Sequence, residues 1–205
     1  MKEVLESSEV LFAPDFDGVF RKSSPHVTRV AEATSRLLFT GKSKLGETIF
    51  DRTAKSLYPL QPIVEGSVDG SKEIIILLAG NGRDLRFEVL SERPPEHREL
   101  TFNDLISMGL NPDDVLCFGF GYRKKIDYLR ESLSKGIDII SIENDPRNAI
   151  EVANLNADAN GSSAVSYLLN NHSGGRSIKG LVRVGSLREI PFDLSRRLAP
   201  LPPPR

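Results

Sequence analysis

Two aspartates one residue apart, Asp15 and Asp17, end the apolar run Val10-Leu11-Phe12-Ala13, and Gly18 follows them. Side chains alternate along a strand, so a strand stopping here puts both carboxylates on one side of its C-terminal edge. In open α/β sheets that edge is where ligands bind. Carboxylates this close repel each other and need a cation, a shared proton or a basic side chain to hold them. The plainer reading is a polar turn, since Asp-Gly is itself a turn signal.

Three further sites fall where strands end or helices begin. Arg36 to Phe39 reads as a short strand ending in Thr40-Gly41-Lys42-Ser43. Lys124 and Lys125 start a helix whose apolar stripe is Ile126, Leu129 and Leu133. Sequence does not separate the two lysines, and the run Arg123-Lys124-Lys125 also reads as a solvated face. The apolar stretch Ile137 to Ile142 ends in Glu143-Asn144-Asp145-Pro146-Arg147-Asn148. The three histidines, His26, His97 and His172, are far apart in sequence and assemble no triad.

A strand–helix alternation must carry these sites. Residues 9–14 read as a buried strand. Ser24-Pro25 opens a helix, and Leu45, Ile49, Ala54 and Leu57 mark another. Glu73 to Leu78 and Leu85 to Leu90, flanking Gly80-Asn81-Gly82-Arg83-Asp84, read as a hairpin. Thr101 caps a helix over Phe102 to Met108, and Val115 to Tyr122 is a further strand. Residues 161–170 read as a short helix and Gly180 to Val184 as a last strand. The expectation is a three-layer α/β, Rossmann-like core with a mainly parallel sheet, formed by 1–65 and 122–190. A small α+β insert spans 66–121, and 191–205 is a proline-rich tail.

Composition sets the outer bounds. A chain of 205 residues builds one sizeable domain, or a core with a small insert. Lysine and arginine (27) nearly balance aspartate and glutamate (28), which leaves no basic footprint for nucleic acid. The single Cys117 forms no intrachain disulfide, and no Cys/His cluster suits zinc. No apolar run is long enough to span a bilayer, and MKEVLESSEV lacks a signal-peptide core. The chain therefore reads as cytoplasmic, with neither membrane nor nucleic-acid partner. Its oligomeric state is not set by the sequence.

The order DFDG, FTGK, GYRKK, ENDPRN resembles the haloacid dehalogenase (HAD) superfamily of phosphohydrolases. That family has a DxDG strand end, a Thr or Ser strand end, a lysine at a helix start and an acidic loop. Its α/β-capped members place the cap between the second and third sites. The resemblance spans most of residues 9–170. It implies a Mg²⁺-dependent phosphatase acting on a small phosphorylated metabolite, such as a sugar phosphate, through an aspartyl-phosphate. On that pattern Asp15 is the nucleophile and Asp17 the proton donor and then the base. The Thr40 hydroxyl holds phosphate oxygens, and Lys124 or Lys125 neutralises charge. Mg²⁺ is held by Asp15, the Asp17 carbonyl and the loop of Asn144, Asp145 and Asn148.

The fourth site departs from the family. Aligned on Pro146, the expected aspartates fall on Asn144 and Asn148, which offer oxygen but no charge, with Asp145 beside them. Weaker metal binding and a weak or degenerate phosphatase follow from that. Two other readings compete. Residues 114–160 look like the nucleotide-binding unit of an S-adenosylmethionine methyltransferase, with Glu143 on the ribose hydroxyls. The two asparagines alternatively suggest a non-catalytic binding protein on the HAD fold.

Overall fold

The structure is a computed structural model. It describes residues 4–22, 56, 60–119, 122–157, 161–169 and 178–198. Six strands form one sheet: β1 (Glu9–Pro14), β2 (Asp84–Ser91), β3 (Asp114–Cys117), β4 (Asp138–Glu143), β5 (Ala164–Leu169) and β6 (Leu181–Val184). Their order is β3-β2-β1-β4-β5-β6, and every pairing is parallel. The chain runs outward from β1 to β3 on one side, then returns to lay β4 against β1. The order therefore reverses between β1 and β4, and a crevice opens there beyond the strand C-termini.

Parallel strands need crossovers, and helices supply them on both faces. Val10 and Phe12 point to one face, with Phe87, Val89, Ile140, Ile142, Val165 and Tyr167. There α1 (Ser67–Gly80), α2 (Arg98–Ser107) and α5 (Ile190–Ser195) cover them with Ile74, Leu78, Leu105, Ile190 and Leu194. Leu11, Ala13, Leu90 and Ile139 point to the other face. They meet Ile126, Leu129 and Leu133 of α3 (Tyr122–Ser134) and Val152 of α4 (Pro146–Asn154). Alternation along β1 thus divides the core into two layers, and the expected three-layer α/β architecture is present.

The 66–121 interval is a correction. Its strands β2 and β3 lie in the main sheet, with β2 paired directly to β1 from Glu9↔Asp84 to Phe12↔Phe87. The expected hairpin does not form, because Glu73 to Leu78 lies within α1. Ser67, Gly70, Ser71, Ile74 and Leu78 share its buried face at helical spacing. The β-branched isoleucines imitate a strand, but the face beyond the isoleucine run decides the matter. Gly70 tightens that packing: a Cβ there would lie 2.6 Å from Leu187 Cβ.

Two other boundaries move. Residues 164–169 are strand β5, buried at all six positions, where a helix was expected. The tail begins later than 191, because α5 runs to Ser195 and buries Leu194. The helix expected after Ser24, the strand Arg36 to Phe39 and, apart from the helical Ser56, the helix expected over 45–57 lie outside the described residues. Among the described residues no helix is long and apolar enough to cross a membrane.

Candidate active site

At Pro14 β1 stops, and the next residues close a turn in which Phe20 and Arg21 donate backbone N–H groups to Phe16 O. Gly18 has φ +85° in this turn, a conformation that L side chains resist. Strand alternation therefore ends before Asp17, and the two carboxylates take different partners. Each has its own cation.

Asp15 keeps the direction of Leu11 and Ala13, toward α3. There Lys125 Nζ lies 3.3 Å from Asp15 Oδ1 and 2.9 Å from Glu143 Oε1. The ammonium is fully buried. Ser141 Oγ donates to Glu143 Oε1 at 2.9 Å and steadies the second carboxylate. Burial works to lower the Lys125 ammonium, but Asp15 and Glu143 outweigh it and hold it above the ordinary lysine range. Burial pushes the Asp15 carboxyl up to about 8 against the pull of Lys125, helped by the charges of Glu143, Asp17 and Glu92. Of the two lysines, Lys125 reaches Asp15 and is buried, whereas Lys124 is exposed.

Asp17 is held by Arg93. Arg93 Nε and Nη2 donate to Asp17 Oδ2 and Oδ1, both at 2.8 Å. Arg93 follows the end of β2, and its backbone N–H donates to Ser91 Oγ at 3.1 Å. Ser91 is fully buried at the C-terminal end of the strand beside β1, one residue past the Asp15↔Leu90 bridge. It places a hydroxyl at the strand end neighbouring Asp15. Thr40, expected to supply such a hydroxyl, lies outside the described residues.

The fourth site is split. Asn144 reaches across to the turn after Asp17: a Cβ on Gly18 would lie 2.1 Å from its Nδ2 and 2.8 Å from its Oδ1. Asn148 donates to Glu92 Oε1 at 3.2 Å. Asp145 instead turns outward and caps α4, accepting from the Arg147 N–H at 2.7 Å. An N-cap aspartate before a proline at the first helical position explains that placement, and Asp145 is exposed there.

Sequence reasoning missed the roles of three residues of this cluster. Glu143, which opens the expected fourth site and is the ribose-binding acid of the methyltransferase reading, is sealed against Lys125. Ser91 and Arg93 were placed in the insert, although the run Leu85 to Leu90 ending in Ser-Glu-Arg is itself a strand-end signal. The methyltransferase unit also fails in geometry: β3 and β4, which it requires as neighbours, are separated by β2 and β1.

The charges bear on a metal. Asp15, Asp17, Glu92 and Glu143 face Lys125 and Arg93, an excess of carboxylate that a cation would relieve. Among the described residues no three Asp, Glu, His or Cys side chains form a ready cage. Mg²⁺ does not need one, since it keeps waters and binds through one or two carboxylates and substrate phosphate. Asp15, the Asp17 carbonyl and the Asn144 amide oxygen fit that spare requirement.

Beside this cluster a cavity of about 680 Å³ opens between Gly18, Asn144, Val64, Leu169 and Leu187, with Lys22 and Arg188 among its lining. It adjoins the reacting groups through Gly18 and Asn144.

No family model matches the sequence, and no curated protein matches it. Solved structures do match. One is a haloacid dehalogenase-like family hydrolase from Xanthomonas campestris, 13% identical, with a TM-score of 0.51 over 92% of this chain and 95% of that one. Another is a 2-haloacid dehalogenase from Pseudomonas syringae, 12% identical, with a TM-score of 0.53 over 92% of this chain and 99% of that one. Likeness at this level is likeness of fold.

Proposed function

We propose that this chain, which has the haloacid dehalogenase-like fold, is a phosphohydrolase acting on a small phosphorylated metabolite through an aspartyl-phosphate. The observation that carries the reading is the buried Lys125 between Asp15 and Glu143, at the point where the strand order reverses. A fixed positive charge beside a strand-end carboxylate is what phosphoryl transfer to that carboxylate demands.

In the first half-reaction an Asp15 oxygen bonds to phosphorus as the bond to the leaving oxygen breaks, and Asp17 gives that oxygen its proton. In the second, water attacks phosphorus, Asp17 takes the water's proton, and the bond to Asp15 breaks to release phosphate. The Lys125 ammonium offsets negative charge on the transferred oxygens, and Ser91 offers them a hydroxyl. The cavity flanking Gly18 and Asn144 takes the rest of the substrate. Asp15, the Asp17 carbonyl and Asn144 would hold Mg²⁺, which supplies charge neutralisation and favours ionised Asp15. With asparagine in place of aspartate at 144, that metal is held weakly.

Asp17 favours a phosphate ester over a carbon–halogen bond. An alkoxide leaves far more readily when it is protonated, whereas a halide needs no proton. The test is release of phosphate from p-nitrophenyl phosphate against Mg²⁺ concentration, with chloroacetate as the competing substrate. Turnover of the ester, lost in Asp15→Asn, is expected. Dehalogenation without ester hydrolysis would replace the reading, and inactivity on both would leave a binding protein on this fold.

A further inference from the structure

We propose that Arg93 is the positioning residue for Asp17, fixing the direction in which that carboxylate meets the leaving oxygen. The inference rests on the phosphohydrolase reading.

The guanidinium is anchored independently of Asp17. Its Nη1 donates to Thr101 Oγ1 at 3.2 Å, and Thr101 in turn donates to His97 O at 2.9 Å. Its Nη2 reaches Gln61 Oε1 at 3.4 Å. Its Cζ lies over the Phe16 ring, 4.2 Å from the centroid. The backbone bond to Ser91 Oγ fixes the start of the side chain. A helix, a loop, a ring and a strand end therefore set the fork before Asp17 enters it.

Asp17 then docks both oxygens on that fork, and a bidentate pair fixes the plane of the carboxylate as well as its distance. The pair is one-sided: the Arg93 side chain is 2% exposed and the Asp17 side chain 35%. Each carboxylate oxygen keeps a lone pair that the fork leaves free, and a proton carried there on the open side can be given to a substrate oxygen. Transfer of a proton depends steeply on such alignment. A lysine at this position would deliver charge without the fork.

The test separates positioning from mere support by using two esters. Proton donation matters for phenyl phosphate, whose leaving oxygen is basic, and little for p-nitrophenyl phosphate. We compare kcat/KM, which reports the step that expels the alcohol, for the parent, Arg93→Lys, Arg93→Met, Asp17→Asn and the Asp17→Asn/Arg93→Met pair. Arg93→Met is expected to lose roughly tenfold more on phenyl phosphate than on p-nitrophenyl phosphate, with Asp17→Asn showing the same split. The double variant should be no worse than Asp17→Asn alone, and Arg93→Lys should restore only part of the loss.

Equal losses on the two esters, or additive losses in the double variant, overturn the proposal while leaving the phosphohydrolase reading intact. A raised KM with kcat unchanged overturns it in favour of substrate contact. Hydrolysis of neither ester by the parent overturns both. If Arg93→Met does not fold, Thr101→Val, which removes one anchor of the fork, carries the same two-ester comparison.

Discussion

Lys125 and Asp15 meet across the gap between α3 and β1, with 3.3 Å from ammonium to carboxylate and no exposure of the lysine side chain. Because Glu143 shares the same ammonium at 2.9 Å, removing it strands two buried acids. Lys125→Met should cost roughly 3–5 kcal/mol of folding stability, the range for breaking a buried ion pair from one side. Adding Glu143→Gln should recover part of that. Urea unfolding of both variants checks it, and a loss below about 1 kcal/mol would show that the acids simply take up protons.

Gly18 resists a side chain for two separate reasons: its φ of +85° and the Asn144 amide beside it, which would have to move. Gly18→Ala should cost roughly 1–3 kcal/mol and lower phosphate release. Replacing Asn144 by alanine as well relieves the overlap but not the backbone conformation, so stability should return only in part. Full recovery in the double variant would mean that the turn changes shape freely.

Asn144→Asp places a charged oxygen where the amide now stands. Affinity for Mg²⁺ in the presence of inorganic phosphate should rise about tenfold or more, as an added unit charge at ligand distance implies. Titration calorimetry reads this without turnover. Unchanged affinity would remove residue 144 from the metal's surroundings.

Cys117, at the end of β3, is half-buried, and burial pushes its thiol up to about 11. The thiolate is the reactive form, so alkylation by iodoacetamide at pH 8 should run roughly a hundredfold slower than at a free cysteine. The rate should climb with pH toward 11. Mass spectrometry of the labelled chain follows this, and rapid labelling at pH 8 would contradict the burial.

What the sequence made legible was local and periodic. β1, α3, β4 and α4 were readable because an apolar run or a 3.6-residue stripe ended at a recognisable cap or acid. The pattern failed where two codes coincide. Glu73 to Leu78 is β-branched yet helical, and only its extension back to Ser67 shows the buried face. Misreading that helix as a hairpin strand moved β2 out of the sheet, and Ser91 and Arg93 went with it. Lys125 was separable from Lys124 only by the direction of α3 against β1, a tertiary fact. The bond between Asp17 and Arg93 joins positions 76 residues apart, and no spacing rule encodes it.

The ammonium shared by Asp15 and Glu143 also constrains how this chain can change over generations. Losing the lysine first exposes the lineage to two uncompensated acids, and losing one acid first tips the balance the other way. Drift at the three positions should therefore be concerted. Descendants that abandon the chemistry are expected to exchange Asp15, Lys125 and Glu143 together for neutral side chains of similar bulk, not to erode them one at a time.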